Sequence, residues 1–157
     1  MIPSRQEIFY RVFGAWRLAR FDAGGAQYFD AAPDAAWRSF FAVLLVAPAH
    51  TITLLLQSES GSGVEPLAAF LVFLISYSLE WTVFPVVAHQ VCQMIDRQRA
   101  FFRYLTASNW SSMVTFHLLL VLTILVVGGV IPSALVPIVI FAVQVYVLGY
   151  LWFITRH

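Results

Sequence analysis

The chain has 157 residues, of which 61% are hydrophobic and 11% are charged, and its formal net charge is +1 at pH 7. Soluble domains are roughly 45–50% apolar and about 25% charged, and so short a chain has too small an interior to hide this much apolar surface. The composition therefore argues against a soluble domain, and the small net charge argues against a nucleic-acid partner. Long continuous apolar segments, rather than short alternating ones, predict membrane-spanning helices instead of a barrel.

Residues 4–20 predict an amphipathic helix at the start of the chain. Ser4, followed three residues later by Glu7, forms a capping box. On a helical projection the apolar side chains share one face (Ile8, Phe9, Val12, Phe13, Ala15, Trp16 and Ala19), and Glu7, Tyr10, Arg11 and Arg17 share the other. Such a helix lies at the membrane surface among the lipid headgroups or docks against its own chain, and the sequence is compatible with both arrangements.

Four apolar segments follow a linker over residues 21–33, and they predict an all-α polytopic membrane protein. The predicted transmembrane helices are residues 35–57, 66–92, 111–131 and 134–154. Asp34 is a candidate cap for the first helix, and Ser108 or Asn109 for the third. Residues 96–110 are predicted to be a cytoplasmic loop that lies on the membrane surface. With the interfacial helix of residues 4–20, these segments make one membrane domain embedded in a lipid bilayer.

The distribution of arginine predicts the orientation. All nine basic residues lie in residues 1–38, 96–110 and 155–157, whereas residues 58–65 and 128–133 have none. Four crossings place the three arginine-bearing segments on the same side, which the positive-inside rule makes the cytoplasmic side. We therefore expect both termini to be cytoplasmic, in a multi-pass protein of the bacterial inner membrane.

Glu80 is the polar residue that most needs an explanation, because it lies near the centre of the second predicted transmembrane helix. A charged acid at that depth costs about 2.5–3.5 kcal/mol on insertion scales, so Glu80 must be neutral, paired or facing water. Counted from the outer boundary at about 1.5 Å per residue, Glu80 and His117 lie at a similar depth, while Gln144 and His50 are shallower. These four residues form the candidate intramembrane polar site. It is a proton relay or substrate site, or a set of hydrogen bonds that fixes helix register, and we favour the second interpretation.

No catalytic, cofactor or metal site is predicted. The sequence has no phosphate-binding glycine loop, nucleophile elbow or zinc-protease motif. The histidines lie at different depths, which argues against haem held by two of them, and Cys92 is the only cysteine. We therefore expect no cofactor and a non-enzymatic protein.

The arrangement of Pro33, Trp37-Arg38 and Pro48 around the first apolar segment, followed by closely spaced apolar segments, resembles the Yip1-like family of small polytopic membrane proteins. That family commonly has five spans, whereas four are counted here. The resemblance implies a role in membrane organisation or transport, without catalytic residues. We therefore expect a non-enzymatic protein that packs against itself or against another membrane protein. The alternatives are a small transporter or proton-conducting element that uses Glu80 and His117, and an accessory subunit of a larger membrane complex.

Overall fold

The computed structural model describes residues 2–58 and 65–157, and within these ranges the chain is all-α, as predicted. The elements in chain order are α1 (Arg5–Ala19), a 3-10 helix (Ala23–Tyr28), α2 (Pro33–Ser39), α3 (Phe41–Ser58), α4 (Pro66–Met94), α5 (Gln98–Val127) and α6 (Val136–Arg156). Most of the connection predicted over residues 58–65 lies outside the described residues.

Four segments are long and apolar enough to cross a membrane, which confirms the predicted number of transmembrane helices. They are Pro33–Gln57, Phe70–Met94, Gln98–Val127 and Val136–Arg156. About 20 helical residues suffice to cross a hydrocarbon core of about 30 Å. At about 1.5 Å per residue, α5 is about 45 Å long, so roughly a third of it extends beyond such a core.

The structure differs from the sequence prediction at α5, both in the loop predicted over residues 96–110 and in the start of the third transmembrane helix predicted at residue 111. Residues 98–110 are helical and continuous with the rest of α5, because no glycine or proline interrupts the chain between Gln98 and Val127. Asn109 does not cap a helix; its amide nitrogen donates to Ser39 Oγ at 2.8 Å. The helix ends at Gly128-Gly129, where Gly129 adopts a φ of +68° that a side chain would disfavour.

The first predicted transmembrane helix is divided in the structure into α2 and α3 around Phe40. Helix α2 begins with Pro33 at its first turn, where a proline costs little. Ser39 is fully buried at the junction, donates to Ala36 O and accepts from Asn109. Helix α3 continues through Pro48. The junction between α2 and α3 is therefore hydrogen-bonded to α5. The hydropathy of the first apolar segment does not indicate this contact.

Helix α1 docks against the bundle with one face and leaves its aromatic face exposed. Gly14, Ala15, Leu18 and Ala19 are buried, whereas Phe9, Phe13 and Trp16 of the predicted apolar face are exposed. Arg11, predicted on the polar face, is buried as well. The buried face is thus rotated relative to the predicted one, because small residues allow the closer approach of the helices. The exposed aromatic side chains remain suited to the headgroup region of a membrane.

The linker after α1 folds back on it, and two glycines permit this contact. A Cβ on Gly14 would lie 2.4 Å from Tyr28 Cβ, and a Cβ on Gly25 would lie 2.7 Å from the carbonyl oxygen of Gly14. Asp22 Oδ1 accepts a hydrogen bond from the N–H of Gly24 and caps the 3-10 helix. The segment predicted as a plain linker is therefore part of the folded unit.

Helix α5 lies at the centre and contacts α1, α2, α3, α4 and α6. Its Trp110 is 1% exposed and packs in the same core as Tyr150 of α6, which is fully buried. The hydroxyls of Tyr150 and Tyr146 donate to the carbonyls of Ala15 and Ala19, so α6 is hydrogen-bonded to the last turns of α1. The best-packed region is accordingly the end of the bundle that carries α1 and the 3-10 helix.

Candidate functional site

A cavity of about 380 Å³ lies against α5, with walls from α3, α4 and α6. It is lined by His50 of α3, by α4 between Glu80 and Pro85, by α5 between Ser108 and Leu119, and by Val147 and Leu151 of α6. Its volume falls within the range of small-molecule sites, and its walls are mainly apolar with a few polar groups, as in such sites. This cavity is the candidate functional site.

Glu80 lines the cavity and is also an exposed residue. Within the described part of the chain, Glu80 forms neither an ion pair nor a hydrogen bond. Pro85, which has no backbone N–H to donate, lies on the same wall one turn further along α4. The acid that the sequence singles out therefore lies at a cavity and has no ion-pair or hydrogen-bond partner among the residues that the structure describes.

His50 is the one member of the predicted polar site that shares this cavity with Glu80. Its ring packs among aromatic rings, with centroids 5.5 Å from Phe73, 5.3 Å from Tyr77 and 5.0 Å from Phe116. The stacking fixes the orientation of the imidazole. His50 thus contributes a polar ring to a part of the bundle whose other contacting rings are those of Phe73, Tyr77 and Phe116.

The structure separates His117 and Gln144 from Glu80. His117 lines a second cavity, between α5 and α6, and its Nδ1 lies 2.6 Å from the carbonyl oxygen of Met113 one turn earlier. Gln144 is exposed on α6. The Glu80–His117 pair inferred from depth is not formed among the described residues, because the two side chains line different cavities.

Two buried polar atoms at the cavity have no hydrogen-bond partner among the described residues. They are Nε1 of Trp81, whose residue is 9% exposed, and Oγ of Ser111, whose residue is 1% exposed. The hydroxyl of Tyr77 lies near Trp81 Nε1, and that of Tyr150 lies near Ser111 Oγ. Each tyrosine donates its proton to a backbone carbonyl of another helix, and its oxygen can still accept. A buried polar group without a partner costs about 1–3 kcal/mol, and these tyrosine oxygens are the acceptors within reach of the two atoms.

The polar side of the cavity is contributed by α5, and sequence reasoning missed it. Ser108, Ser112 and Thr115 are spaced by four and three residues, so they lie on one face of the helix. The signal is the polar sequence Ser-Asn-Trp-Ser-Ser at residues 108–112, whose local pattern predicts a helix start. Trp81 could not be identified from the sequence, because a tryptophan in an apolar helix can serve either for packing or as a hydrogen-bond donor.

The charged side chains away from the cavity hold the α1 end together. Arg11 donates to the carbonyl of Tyr28 and to Asp30 Oδ2 (2.5 Å), and Arg38 donates to Glu7 Oε1 at 3.0 Å. These are structural contacts between α1, the following linker and α2, and none of them borders the cavity.

An exposed ion pair closes the turn after α1. Arg17 Nε donates to Asp22 Oδ2 at 2.6 Å. This hydrogen bond, followed by that from the Gly24 N–H, holds the pKa of Asp22 below its ordinary value. The same contact holds the pKa of Arg17 above its ordinary value.

No group of three His, Cys, Asp or Glu side chains in the described ranges could hold a metal ion. Comparison of the chain with protein-family models, with curated proteins and with solved structures finds no match.

Proposed function

We propose that this protein is a non-enzymatic integral membrane protein that works by packing against a membrane partner, and that the first partner is a second copy of itself. The expected Yip1-like role in membrane organisation agrees with this proposal. The observation that carries it is Gln144, an amide exposed on a helix of membrane-spanning composition.

Gln144 lies beside an exposed apolar stripe on α6. Phe141, Val145, Leu148 and Trp152 are 67%, 53%, 67% and 60% exposed and are spaced by four, three and four residues. That spacing is the one by which two helices pack side by side along a seam. In the described part of the chain Gln144 has no hydrogen-bond partner, which is unfavourable in hydrocarbon.

A second copy of the chain would supply both a hydrogen-bond partner for Gln144 and an apolar surface for the exposed stripe of α6. An amide is a donor and an acceptor, so two Gln144 side chains at the same depth can hydrogen-bond to each other across a two-fold axis. The stripes of the two copies pack against each other under the same symmetry. A dimer therefore places the polar group and the apolar seam in a single interface.

The test is the strength of self-association in detergent or in proteoliposomes, measured by energy transfer between labelled copies. Each hydrogen bond between membrane helices is worth about 0.6–2 kcal/mol. Gln144→Leu should therefore weaken association by about 3-fold to 30-fold or more, whereas the control Gln90→Leu, an exposed glutamine on α4, should leave it unchanged. A monomeric wild-type protein would refute the proposed dimer. Co-purification of a different membrane protein in mild detergent would favour the accessory-subunit alternative.

We further propose the predicted orientation, with both termini cytoplasmic in a bacterial inner membrane. The structure supports it by placing two of the arginine-bearing segments together: Arg103 of residues 96–110 donates to Ala26 O of residues 1–38 at 3.2 Å. Within residues 1–38, Arg11 contacts Asp30 and Arg38 contacts Glu7. Lipid tails do not solvate such a network, whereas the cytoplasmic membrane surface does.

A second candidate function is a small transporter or proton-conducting element. The observation that favours it is the shared cavity of Glu80 and His50; His117 is not part of it. Proton or substrate flux into liposomes, compared between wild type and Glu80→Gln, separates this function from a scaffold. Flux that needs Glu80 would support it, and equal absence of flux from both proteins would contradict it.

A further inference from the structure

The second cavity, between α5 and α6, has a volume of about 890 Å³. Its walls are side chains within residues 113–121 of α5 and 138–146 of α6, together with Val12 and Trp16 of α1. Each of the two helix segments is about 12 Å long at about 1.5 Å per residue, and both helices are long and apolar enough to cross a membrane. Ile138, at the end of the cavity away from α1, is exposed. The cavity therefore runs along the membrane-spanning part of the bundle and opens to the surrounding lipid.

The walls of this cavity are apolar except at Trp16, His117 and Tyr146, and none of the described residues lining it is an arginine, lysine, aspartate or glutamate. Tyr146 uses its hydroxyl proton elsewhere, because it donates to the carbonyl oxygen of Ala19 at 2.7 Å. Trp16 can only donate, through its indole N–H, and its side chain is exposed. Neither residue forms a hydrogen bond with His117 in the described part of the chain. The hydrogen bonding of His117 is therefore not completed by the other polar walls.

His117 turns one ring nitrogen towards its own helix and leaves the other without a partner. The carbonyl oxygen of Met113 can only accept, and it lies 2.6 Å from Nδ1, so Nδ1 carries a proton. The two nitrogens of an imidazole point in widely different directions, so Nε2 points away from the α5 backbone, and the side chain is exposed. No acid lines the cavity and hydrocarbon disfavours a charge, so the ring is neutral and Nε2 is an acceptor.

The surroundings of Nε2 indicate which ligand would satisfy it. Lipid tails have no donor and would leave this acceptor unpaired in hydrocarbon. His117 lies about 15 Å before the end of α5 and Tyr146 about 15 Å after the start of α6, so the two rings are at a similar depth. The Tyr146 ring and the nearby sulfur of Met113 favour an aromatic ligand. A phenolic hydroxyl, whose ordinary pKa is about 10, is a more acidic donor than an aliphatic hydroxyl.

We propose that this cavity binds a membrane-soluble phenol, whose hydroxyl donates to Nε2 of His117 and whose apolar substituent lies along α5 and α6 towards Ile138. A ligand dissolved in the bilayer enters from the lipid side, where Ile138 is exposed. The inference is independent of the proposed dimer. Gln144 is two residues beyond Ala142, hence about 200° around α6, so it lies on the side of α6 away from this cavity.

Three matched probes separate the features of the ligand. 4-Butylphenol has the phenolic hydroxyl, 4-butylanisole carries a methyl group on the same oxygen, and 4-phenylbutan-1-ol is an isomer of the phenol with an aliphatic hydroxyl. Binding is measured by titration calorimetry on the full chain in detergent, with each affinity corrected for the partition of the probe into protein-free micelles. The wild type should bind the phenol about 3-fold to 10-fold more tightly than the anisole, the effect of one neutral hydrogen bond. It should bind the phenol about 3-fold more tightly than the aliphatic isomer, which is the weaker donor.

Variants then assign the preference to a residue and the site to the cavity. His117→Phe should bind the phenol and the anisole equally, and the control His89→Phe, at an exposed histidine on α4, should keep the preference. Ala142→Leu adds volume inside the cavity and should weaken all three probes by a similar factor. In protein with nitrogen-15-labelled histidine, the Nε2 resonance of His117 should shift with the phenol and not with the anisole. The helical circular dichroism of each variant shows whether it is folded.

Two kinds of result would overturn the inference. One is equal affinity of the folded wild type for the phenol and either of its analogues, or the absence of saturable binding of the phenol up to about 10 mM. The other is a preference for the phenol that persists in folded His117→Phe, or binding that is unchanged in Ala142→Leu, because either would place the ligand elsewhere. A wild-type protein that is monomeric yet prefers the phenol would refute the proposed dimer and support this inference, so the two proposals fail separately.

Discussion

Alanine at Gly14 and alanine at Gly149 should change the stability of the protein in opposite directions. Both glycines lie inside helices, Gly14 in α1 and Gly149 in α6. A Cβ at Gly14 would lie 2.4 Å from Tyr28 Cβ and 3.0 Å from Tyr28 Cγ, whereas a Cβ at Gly149 would come no closer than 3.7 Å, to Phe21 Cζ. The first position has no room for a methyl group, and the second makes an ordinary contact.

The magnitudes follow from two opposing effects. Alanine is favoured over glycine by about 1 kcal/mol in a helix interior. Overpacking costs about 1–3 kcal/mol, and the clash at Gly14 is with a Cβ atom, which no rotamer change can move. A 2.4 Å clash places the overpacking cost in the upper part of that range, about 2–3 kcal/mol, so Gly14→Ala should lose about 1–2 kcal/mol of unfolding free energy, whereas Gly149→Ala should gain about 0.5–1 kcal/mol. For a chain of this length, 1 kcal/mol corresponds to about 2–4 °C in Tm.

Thermal unfolding in detergent, followed by near-ultraviolet circular dichroism, measures both changes. Limited proteolysis of the N-terminal segment shows whether α1 also separates locally from the 3-10 helix in Gly14→Ala. A Gly14→Ala variant with the Tm and the protease resistance of the wild type would refute the close packing of α1 against Tyr28. A Gly149→Ala variant that loses stability would refute the open space assigned to that position.

Two further predictions concern the same end of the molecule. Tyr150→Phe leaves the carbonyl of Ala15 without its buried donor and should lower the free energy of unfolding by about 1–2 kcal/mol, measured by thermal unfolding. The control Tyr10→Phe, at an exposed ring, should have little effect. Equal changes in the two variants would contradict the buried hydrogen bond. The depressed pKa of Asp22, caused first by Arg17, gives stability that is present above the ordinary value of 3.8 and is lost as the pH falls through the lower folded value. Asp22→Asn should therefore be less sensitive to acid than the wild type, and identical acid profiles would show that the ion pair does not act on stability.

The helical class and the number of long apolar helices could be predicted because hydropathy alone decides them. The boundaries of α5 could not. The polar sequence Ser108 to Ser112 resembles a helix start, but in the structure Asn109 donates to Ser39 of another helix, so its polarity serves a contact between helices. Local sequence cannot distinguish a cap from such a contact, because both use the same side chains.

The candidate site was predicted in part for a related reason. Residue counting gives the depth of a side chain along a helix but not the direction in which it points. His117 is two residues beyond Thr115, hence about 200° around α5, so it faces the second cavity while Thr115 faces Glu80's cavity. Glu80 could be identified because an acid in an apolar helix is costly wherever it points. Trp81 and Ser111 could not, since tryptophan and serine are ordinary in a helix and only the fold places these two on the cavity wall.

The most direct test of the whole account is the side of the membrane on which two exposed positions lie. In a Cys92→Ser background, single cysteines replace Ser133, in the turn between α5 and α6, and Gln27, in the 3-10 helix. Intact cells are treated with a maleimide that does not cross membranes. We expect the cysteine at Ser133 to be labelled, and the cysteine at Gln27 to be labelled only after the membrane is permeabilised. Labelling of both cysteines in intact cells, or of Gln27→Cys alone, would contradict a four-helix membrane protein with its arginines at the cytoplasmic surface.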